Sequence, residues 1–240
     1  MSNKELLLQN YRRRTGNSFE KAKAVLFDMD GILYDSMPGH CRAWKQMCDE
    51  NGIEADADEF FAYEGRTGAS TINILYLRQF GHEATEDDIK RLYGRKSELF
   101  KDMGLPALIP GAQECLRLVL DSEALPCLVT GSGQLSILER LEKDFPGAFP
   151  SGRRITAKDV VHGKPAPEPF LRGMERTGAQ PFQSIAIDNA PLGVESASRS
   201  GALTIGVRTG PLPEGALLAA GADIELKSML ECAILLAELL

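Results

Sequence analysis

Four short apolar runs in this sequence share one grammar: each stops abruptly at small, polar or charged residues and is followed by a helical pattern. Ala22-Lys23-Ala24-Val25-Leu26-Phe27 runs into Asp28-Met29-Asp30-Gly31, and Pro126-Cys127-Leu128-Val129 into Thr130-Gly131-Ser132. Ser184-Ile185-Ala186-Ile187 runs into Asp188-Asn189, and Leu203-Thr204-Ile205-Gly206-Val207 into Arg208-Thr209-Gly210. Apolar runs without alternation are what strands buried on both faces require. Amphipathic helical patterns lie over 111–122, 133–143, 166–177 and 190–201, the second with Leu135, Leu138 and Leu141 on one face, and another covers 227–239. Strands alternating with helices predict a parallel α/β sheet with right-handed crossovers. Ligands of such sheets bind outside the carboxyl ends of the strands, so the polar ends are expected to converge on one crevice.

One stretch breaks the alternation. From about His40 to Met103 the chain reads as consecutive helices (40–51, 67–80 and 85–103) with no strand pattern, between Ser36-Met37-Pro38-Gly39 and Gly104-Leu105-Pro106-Ala107, both hinge-like in their Pro and Gly content. The expected organisation is a loosely attached N-terminal extension (1–20), a Rossmann-like parallel-sheet core built from 21–37 and 105–240, and an all-helical cap (38–104) inserted after the first strand. With 43% hydrophobic and 25% charged residues in 240, the chain is not disordered, collagenous or of low complexity. A net charge of −7 argues against a general nucleic-acid binder, which needs clustered cations. No apolar run approaches the ~20 residues of a membrane span, and Leu6-Leu7-Leu8 leads straight into Gln9-Asn10-Tyr11-Arg12-Arg13-Arg14 rather than a cleavage site. The 5 cysteines form no Cys-x-x-Cys pair and read as reduced, mostly buried thiols. A cytoplasmic monomer that engages neither membrane nor nucleic acid is therefore expected. Arg12-Arg13-Arg14 reads as a solvated run, and Trp44, Phe60, Phe61 and Tyr76 as packing residues.

Chemistry concentrates at the strand ends. Asp28 and Asp30 cannot both be buried without a cation; taken alone, Asp-x-Asp-Gly is a weak signal and more often a solvated turn. A Mg²⁺ approached by Asp28 and by the backbone carbonyl of Asp30 would leave the Asp30 side chain free for proton transfer. Thr130, Gly131, Ser132 and Gly133 offer a hydroxyl and open amides before a helix, which suits a phosphoryl group. Lys164, in Gly163-Lys164-Pro165-Ala166-Pro167, is a cation on a proline-stiffened loop, and Asp188-Asn189 adds oxygen ligands for a hard cation.

The segments Phe27-Asp28-Met29-Asp30-Gly31, Val129-Thr130-Gly131-Ser132, Lys164-Pro165 and Ile187-Asp188-Asn189 together resemble the four motifs of the haloacid dehalogenase superfamily of phosphoryl-transfer enzymes. The resemblance spans nearly all of 22–226, with the cap where the β-phosphoglucomutase-like branch places it. It implies Asp28 as nucleophile forming an aspartyl-phosphate, Asp30 as general acid and then general base, and Thr130 and Lys164 as holders of the transferring group. It also implies Mg²⁺ between Asp28, the Asp30 carbonyl, Asp188 and Asn189.

Substrate choice is expected to lie in the cap. Glu64-Gly65-Arg66-Thr67-Gly68 is similar to the specificity loop of that branch, but Gly68 stands where the β-phosphoglucomutases are expected to carry a phosphate-gripping arginine. Arg66 lies nearby, and His40 and Lys96 match other mutase cap positions, His40 reading otherwise as a linker or helix-start residue. Glu64, Tyr93 and Asp188-Asn189 resemble instead the inorganic pyrophosphatases of the superfamily, in which the cap glutamate joins the metal site and the tyrosine narrows the leaving-group space; Glu64 could equally be a solvated loop acid. A small phosphorylated substrate, pyrophosphate by preference, is expected. A β-phosphoglucomutase or sugar-phosphate phosphatase is the alternative, and a phosphate sensor without turnover a third reading.

Overall fold

In the computed structural model, β1 (Ala24–Phe27) is flanked on both sides by other strands and all its residues are buried, which is why its sequence shows no alternation. The model describes residues 2–132 and 135–240, the last without the side chains of 135–138; Gly133 and the side chains of Leu135 and Leu138, which figured above, lie outside the described residues. β1 pairs in parallel with β2 (Leu125–Val129) and β4 (Ser184–Asp188), and the sheet is completed by β3 (Arg154–Ile155), β5 (Leu203–Val207) and β6 (Ile224–Leu226) in the order β3-β2-β1-β4-β5-β6. The chain winds outward from β1 in one direction and from β4 in the other, which opens a crevice between their carboxyl ends. β3 and β6 were not foreseen: two and three residues are too short for any periodic pattern.

Helices α2 (Met37–Glu50), α3 (Glu59–Ala62), α4 (Gly68–Phe80) and α5 (Glu86–Asp102) form the cap, close to the expected helices apart from the short α3. Thr67 and Thr85 cap α4 and α5 by accepting the amides of Ser70 and Asp88, and Glu86, Asp87 and Asp88 complement the dipole of α5. Trp44 stacks on Phe60 with ring centroids 5.7 Å apart at the centre of the cap. The two linkers are strapped together: Asp35 N–H donates to Ala107 O, Ile109 N–H donates to Leu33 O, and Tyr34 bridges Leu108. The core helices α6 (Ala112–Leu120), α7 (Leu135–Asp144), α8 (Glu168–Thr177), α9 (Pro191–Arg199), α10 (Ala216–Ala219) and α11 (Met229–Leu239) cover the sheet. All 5 cysteines are free and buried, and among the described residues no helix is long and apolar enough to cross a membrane.

The N-terminal segment departs from expectation. It is not loosely attached but forms helix α1 (Asn3–Thr15), opened by a reciprocal Ser2/Glu5 capping box, with Leu7 and Tyr11 fully buried. Arg14 is not solvated: its guanidinium donates to both Asp223 carboxylate oxygens (2.9 and 2.6 Å) and to the carbonyls of Ser198 and Ala202 (2.7 Å each). Asp223 also accepts the Thr204 amide, so the clasp reaches β5. Two apolar residues one turn apart carry the docking face, and the three arginines beside them mask so narrow a stripe in the sequence.

Candidate active site

Strand register assembles the centre. Phe27 lies opposite both Leu128 and Ile187, so Asp28, Thr130 and Asp188 emerge at the same edge of the sheet. Asp28 and Asp188 are buried, and the ammonium of Lys164, carried on the loop before α8, bridges them: Nζ stands 2.5 Å from Asp28 Oδ1 and 2.7 Å from Asp188 Oδ2. Burial opposes a charged Lys164, but the carboxylates of Asp188 and Asp28 win and hold its pKa above the ordinary lysine value. Asp28 is pushed up to about 8 by burial, with Asp188 and Asp30 adding to the rise against the pull of Lys164. One ammonium thus leaves this acidic cluster short of positive charge.

Asp30 faces the cap. Its Oδ1 accepts the Ser36 hydroxyl at 2.5 Å and lies 3.1 Å from His40 Nε2, while His40 Nδ1 lies 2.6 Å from Lys96 Nζ. With Lys96 donating to Nδ1, the imidazole carries its proton on Nε2 and donates it to Asp30, making a buried carboxylate–imidazole–ammonium chain. His40 stacks on Phe100 (centroids 4.1 Å apart), and Lys96 lies 5.2 Å from the Trp44 ring centre. Burial depresses Lys96 to about 7 despite the attraction of Asp30. Burial, then Lys96, lowers His40 as well. For Asp30, burial raises the carboxyl but His40, Ser36 and Lys96 outweigh it and keep it below its ordinary value.

Glu64, on the loop between α3 and α4, crosses from cap to core: its Oε1 accepts the side-chain amide of Asn189 at 2.9 Å. Burial drives its pKa well up; the Asn189 bond opposes, and Asp28, Asp188 and Asp30 reinforce the rise. The other Asn189 side-chain atom, Oδ1, is buried with no hydrogen-bond partner. Among the described residues no three His, Cys, Asp or Glu side chains already converge as a metal site, with Lys164 standing between Asp28 and Asp188. The donor set nevertheless fits a hard cation: the orphaned Asn189 amide oxygen lies beside Asp28 and Glu64, whose carboxyls are raised by burial first and by neighbouring carboxylates second, and a divalent ion that prefers oxygen satisfies both.

Thr130 is buried and its Oγ1 accepts the Ser132 amide at 2.9 Å. The cap presses on this turn: a β-carbon at Gly131 would stand 2.5 Å from Gly65 O. A β-carbon at Gly68 would stand 2.1 Å from the Tyr93 ring, so Tyr93 fills the space into which a side chain at 68 would project. Arg66 donates to Ser70 Oγ at 3.2 Å, its Nε is buried without an acceptor, and among the described residues it has no carboxylate partner. Asp28, Asp30, His40, Glu64, Arg66, Tyr93, Lys96, Gly131 and Ser132 surround one cavity of about 60 Å³. Thr130, Lys164, Asp188 and Asn189 support it from the core side. Every residue singled out for the site is thus brought together. His40 stands in the first turn of α2, as the helix-start reading has it, but is buried against the site, and Glu64 is a buried acid rather than a solvated one. Trp44 and Phe60 pack as expected but also line the cavity. The Ser36 contact to Asp30 was missed; nothing in the sequence marks it beyond its place at the hinge.

A doubly wound parallel sheet with an aspartate pair and a fixed lysine at its switch point, covered by helices, is the arrangement of a phosphatase-type hydrolase. The chain belongs to the haloacid dehalogenase-like hydrolases, whose family model matches residues 22–201. It is 30% identical to hexitol phosphatase A of Escherichia coli over 78% of this chain and 83% of that one. It is also 30% identical to 2-deoxyglucose-6-phosphate phosphatase 1 of Saccharomyces cerevisiae over 84% of this chain and 86% of that one. A solved Bacteroides vulgatus structure, provisionally assigned as a β-phosphoglucomutase, superposes with a TM-score of 0.92 at 42% identity, covering 99% of this chain and 97% of that one. Fold and family therefore agree with the β-phosphoglucomutase-like branch.

Proposed function

We propose that the protein is a Mg²⁺-dependent phosphohydrolase working through an aspartyl-phosphate on Asp28, with inorganic pyrophosphate as its preferred substrate. The small cavity under the cap carries the choice of substrate. About 60 Å³ is roughly four or five water-sized spheres, a fit for a phosphate leaving group and too little for a hexose under Tyr93. In the first step an Asp28 oxygen forms the bond to phosphorus as the bond to the leaving oxygen breaks; in the second, water displaces the Asp28 carboxylate and releases phosphate. Lys164 and the Thr130 turn hold the phosphoryl oxygens, the Gly131 amide adds a donor, and Ser132, whose own amide donates to Thr130 Oγ1, lines the pocket beside them. Asp30, aligned by His40 and Ser36, manages the proton of the attacking water. Its lowered pKa suits a phosphate leaving group, a weak base that departs without a strong acid, better than an alkoxide. Arg66 takes the distal charge, and Tyr93 and Lys96 shape the wall. Asp28, the Asp30 carbonyl, Asp188, Asn189 Oδ1 and, directly or through water, Glu64 would hold Mg²⁺, which supplies countercharge to the transferring group.

A second reading, phosphatase or mutase action on sugar phosphates, is favoured by the relatives: those named above act on sugar phosphates by name, and none is a pyrophosphatase. The separating experiment is phosphate release from pyrophosphate, β-glucose 1-phosphate and small phosphomonoesters, with and without Mg²⁺, using Asp28→Asn as blank. A higher kcat/KM for the sugar phosphates overturns the pyrophosphate assignment, and conversion of β-glucose 1-phosphate to the 6-phosphate without release makes the protein a mutase. Binding without turnover of any substrate would leave a sensor.

A further inference from the structure

A second cleft runs along the seam between cap and core, on the outer side of the Lys164 loop. Arg66, Thr67 and Ser70 line it from the cap, and His162, Gly163 and Arg199 from the core. No carboxylate is among its described lining residues, although the chain as a whole is acidic. Its two sides touch: a β-carbon at Gly163 would stand 2.8 Å from Thr67 Cγ2, and one at Gly65 would stand 3.2 Å from Lys164 Cδ. Arg66 belongs to both spaces, lining the catalytic cavity and this cleft alike. Its buried Nε has no acceptor. Arg199 is more than half exposed and, among the described residues, held only by long contacts, 3.4 Å to Glu195 and 3.4 Å to the Pro165 carbonyl.

We propose that this cleft is a second anion site that takes inorganic phosphate between Arg66, Thr67 and Ser70 of the cap and His162 and Arg199 of the core. Two guanidinium groups, an imidazole and two hydroxyls offer donors on both sides of a tetrahedral dianion, and Arg66, between two chambers, has a buried Nε that lacks such an acceptor. An anion shared by cap and core binds the closed arrangement better than the open one and shifts the protein toward it. Phosphate leaving the reaction would thereby slow reopening. The binding claim stands on the cleft alone; only the link to product inhibition rests on the proposed function.

The test is titration of inorganic phosphate into the full chain, following the backbone amide NMR signals of Thr67, Ser70 and Gly163, with chloride at equal ionic strength as control. Saturable shifts are expected in the wild type, with affinity about tenfold lower in Arg199→Gln and saturation lost in Arg199→Glu. Circular dichroism checks that both variants fold, and Arg199→Lys, which keeps the charge, should retain part of the affinity. Identical titrations in wild type and Arg199→Glu, or no saturable shift, overturn the site. A separate arm measures inhibition of turnover by added phosphate: Arg199→Glu should be less inhibited, with kcat/KM at zero phosphate unchanged. Unchanged inhibition alongside altered binding overturns the regulatory link and leaves the site standing.

Discussion

Lys164 and Lys96 are both buried to 3% exposure within one active-site region, yet their proton affinities move in opposite directions. Lys164 sits between two carboxylates and is held above its ordinary pKa; Lys96 sits among aromatic rings against a neutral imidazole and falls to about 7. Burial is common to both, so the partner decides. One lysine is held as a cation between Asp28 and Asp188, while the other has its charged form disfavoured by burial and reaches Asp30 only through His40.

The comparison breaks most visibly at Lys164. Lys164→Met strands two buried carboxylates and removes a phosphoryl-holding charge, so kcat/KM is expected to fall ~10³-fold; a loss no greater than that of Lys96→Met would make the two lysines equivalent. Asp30→Asn, at the end of the Lys96 chain, is expected to cost ~10²-fold or more in kcat, with single-turnover kinetics locating the loss in the water-dependent step. Lys96→Met is expected to lower kcat roughly tenfold and to move the acidic limb of the pH profile upward, since Asp30 loses a charge that holds its pKa down. The smallest effect is on stability. Because the folded pKa of Lys96 lies near 7 against an ordinary 10.5, the unfolded chain binds more protons between those values and stability rises with pH there. Thermal melts should show the stability difference between Lys96→Met and the wild type shifting toward the wild type from pH 7 to 10. For Lys164, whose folded pKa is raised, the contribution is complete below its unfolded value and disappears only as pH rises beyond it. A flat Lys96 difference across that window contradicts the depressed pKa.

The core was legible because its rules are local: Asp28, Thr130 and Asp188 end apolar runs, and parallel pairing brings such ends together. Lys164 could be read as a fixed charge from its prolines, but not as a bridge, since its two partners lie 136 and 24 residues away. The cap helices were visible from periodicity, whereas the chain from Ser36 and His40 to Lys96 depends on how α2 and α5 pack, which no spacing encodes. The residues Glu64, Tyr93 and Asp188-Asn189 suggested pyrophosphate from the sequence, but the room left for a substrate could not be read there: Tyr93 and Gly68, 25 positions apart in the numbering, define one wall only after α4 and α5 meet. The docking of α1 escaped because Arg14 reads as surface charge until Asp223 is folded against it.

The bare contact between Gly131 and Gly65 has a practical meaning. Two backbones meet there without any side chain as spacer, so a lone methyl group from Gly131→Ala would act as a doorstop, leaving the lid ajar by the width of one carbon and the chamber open to bulk water.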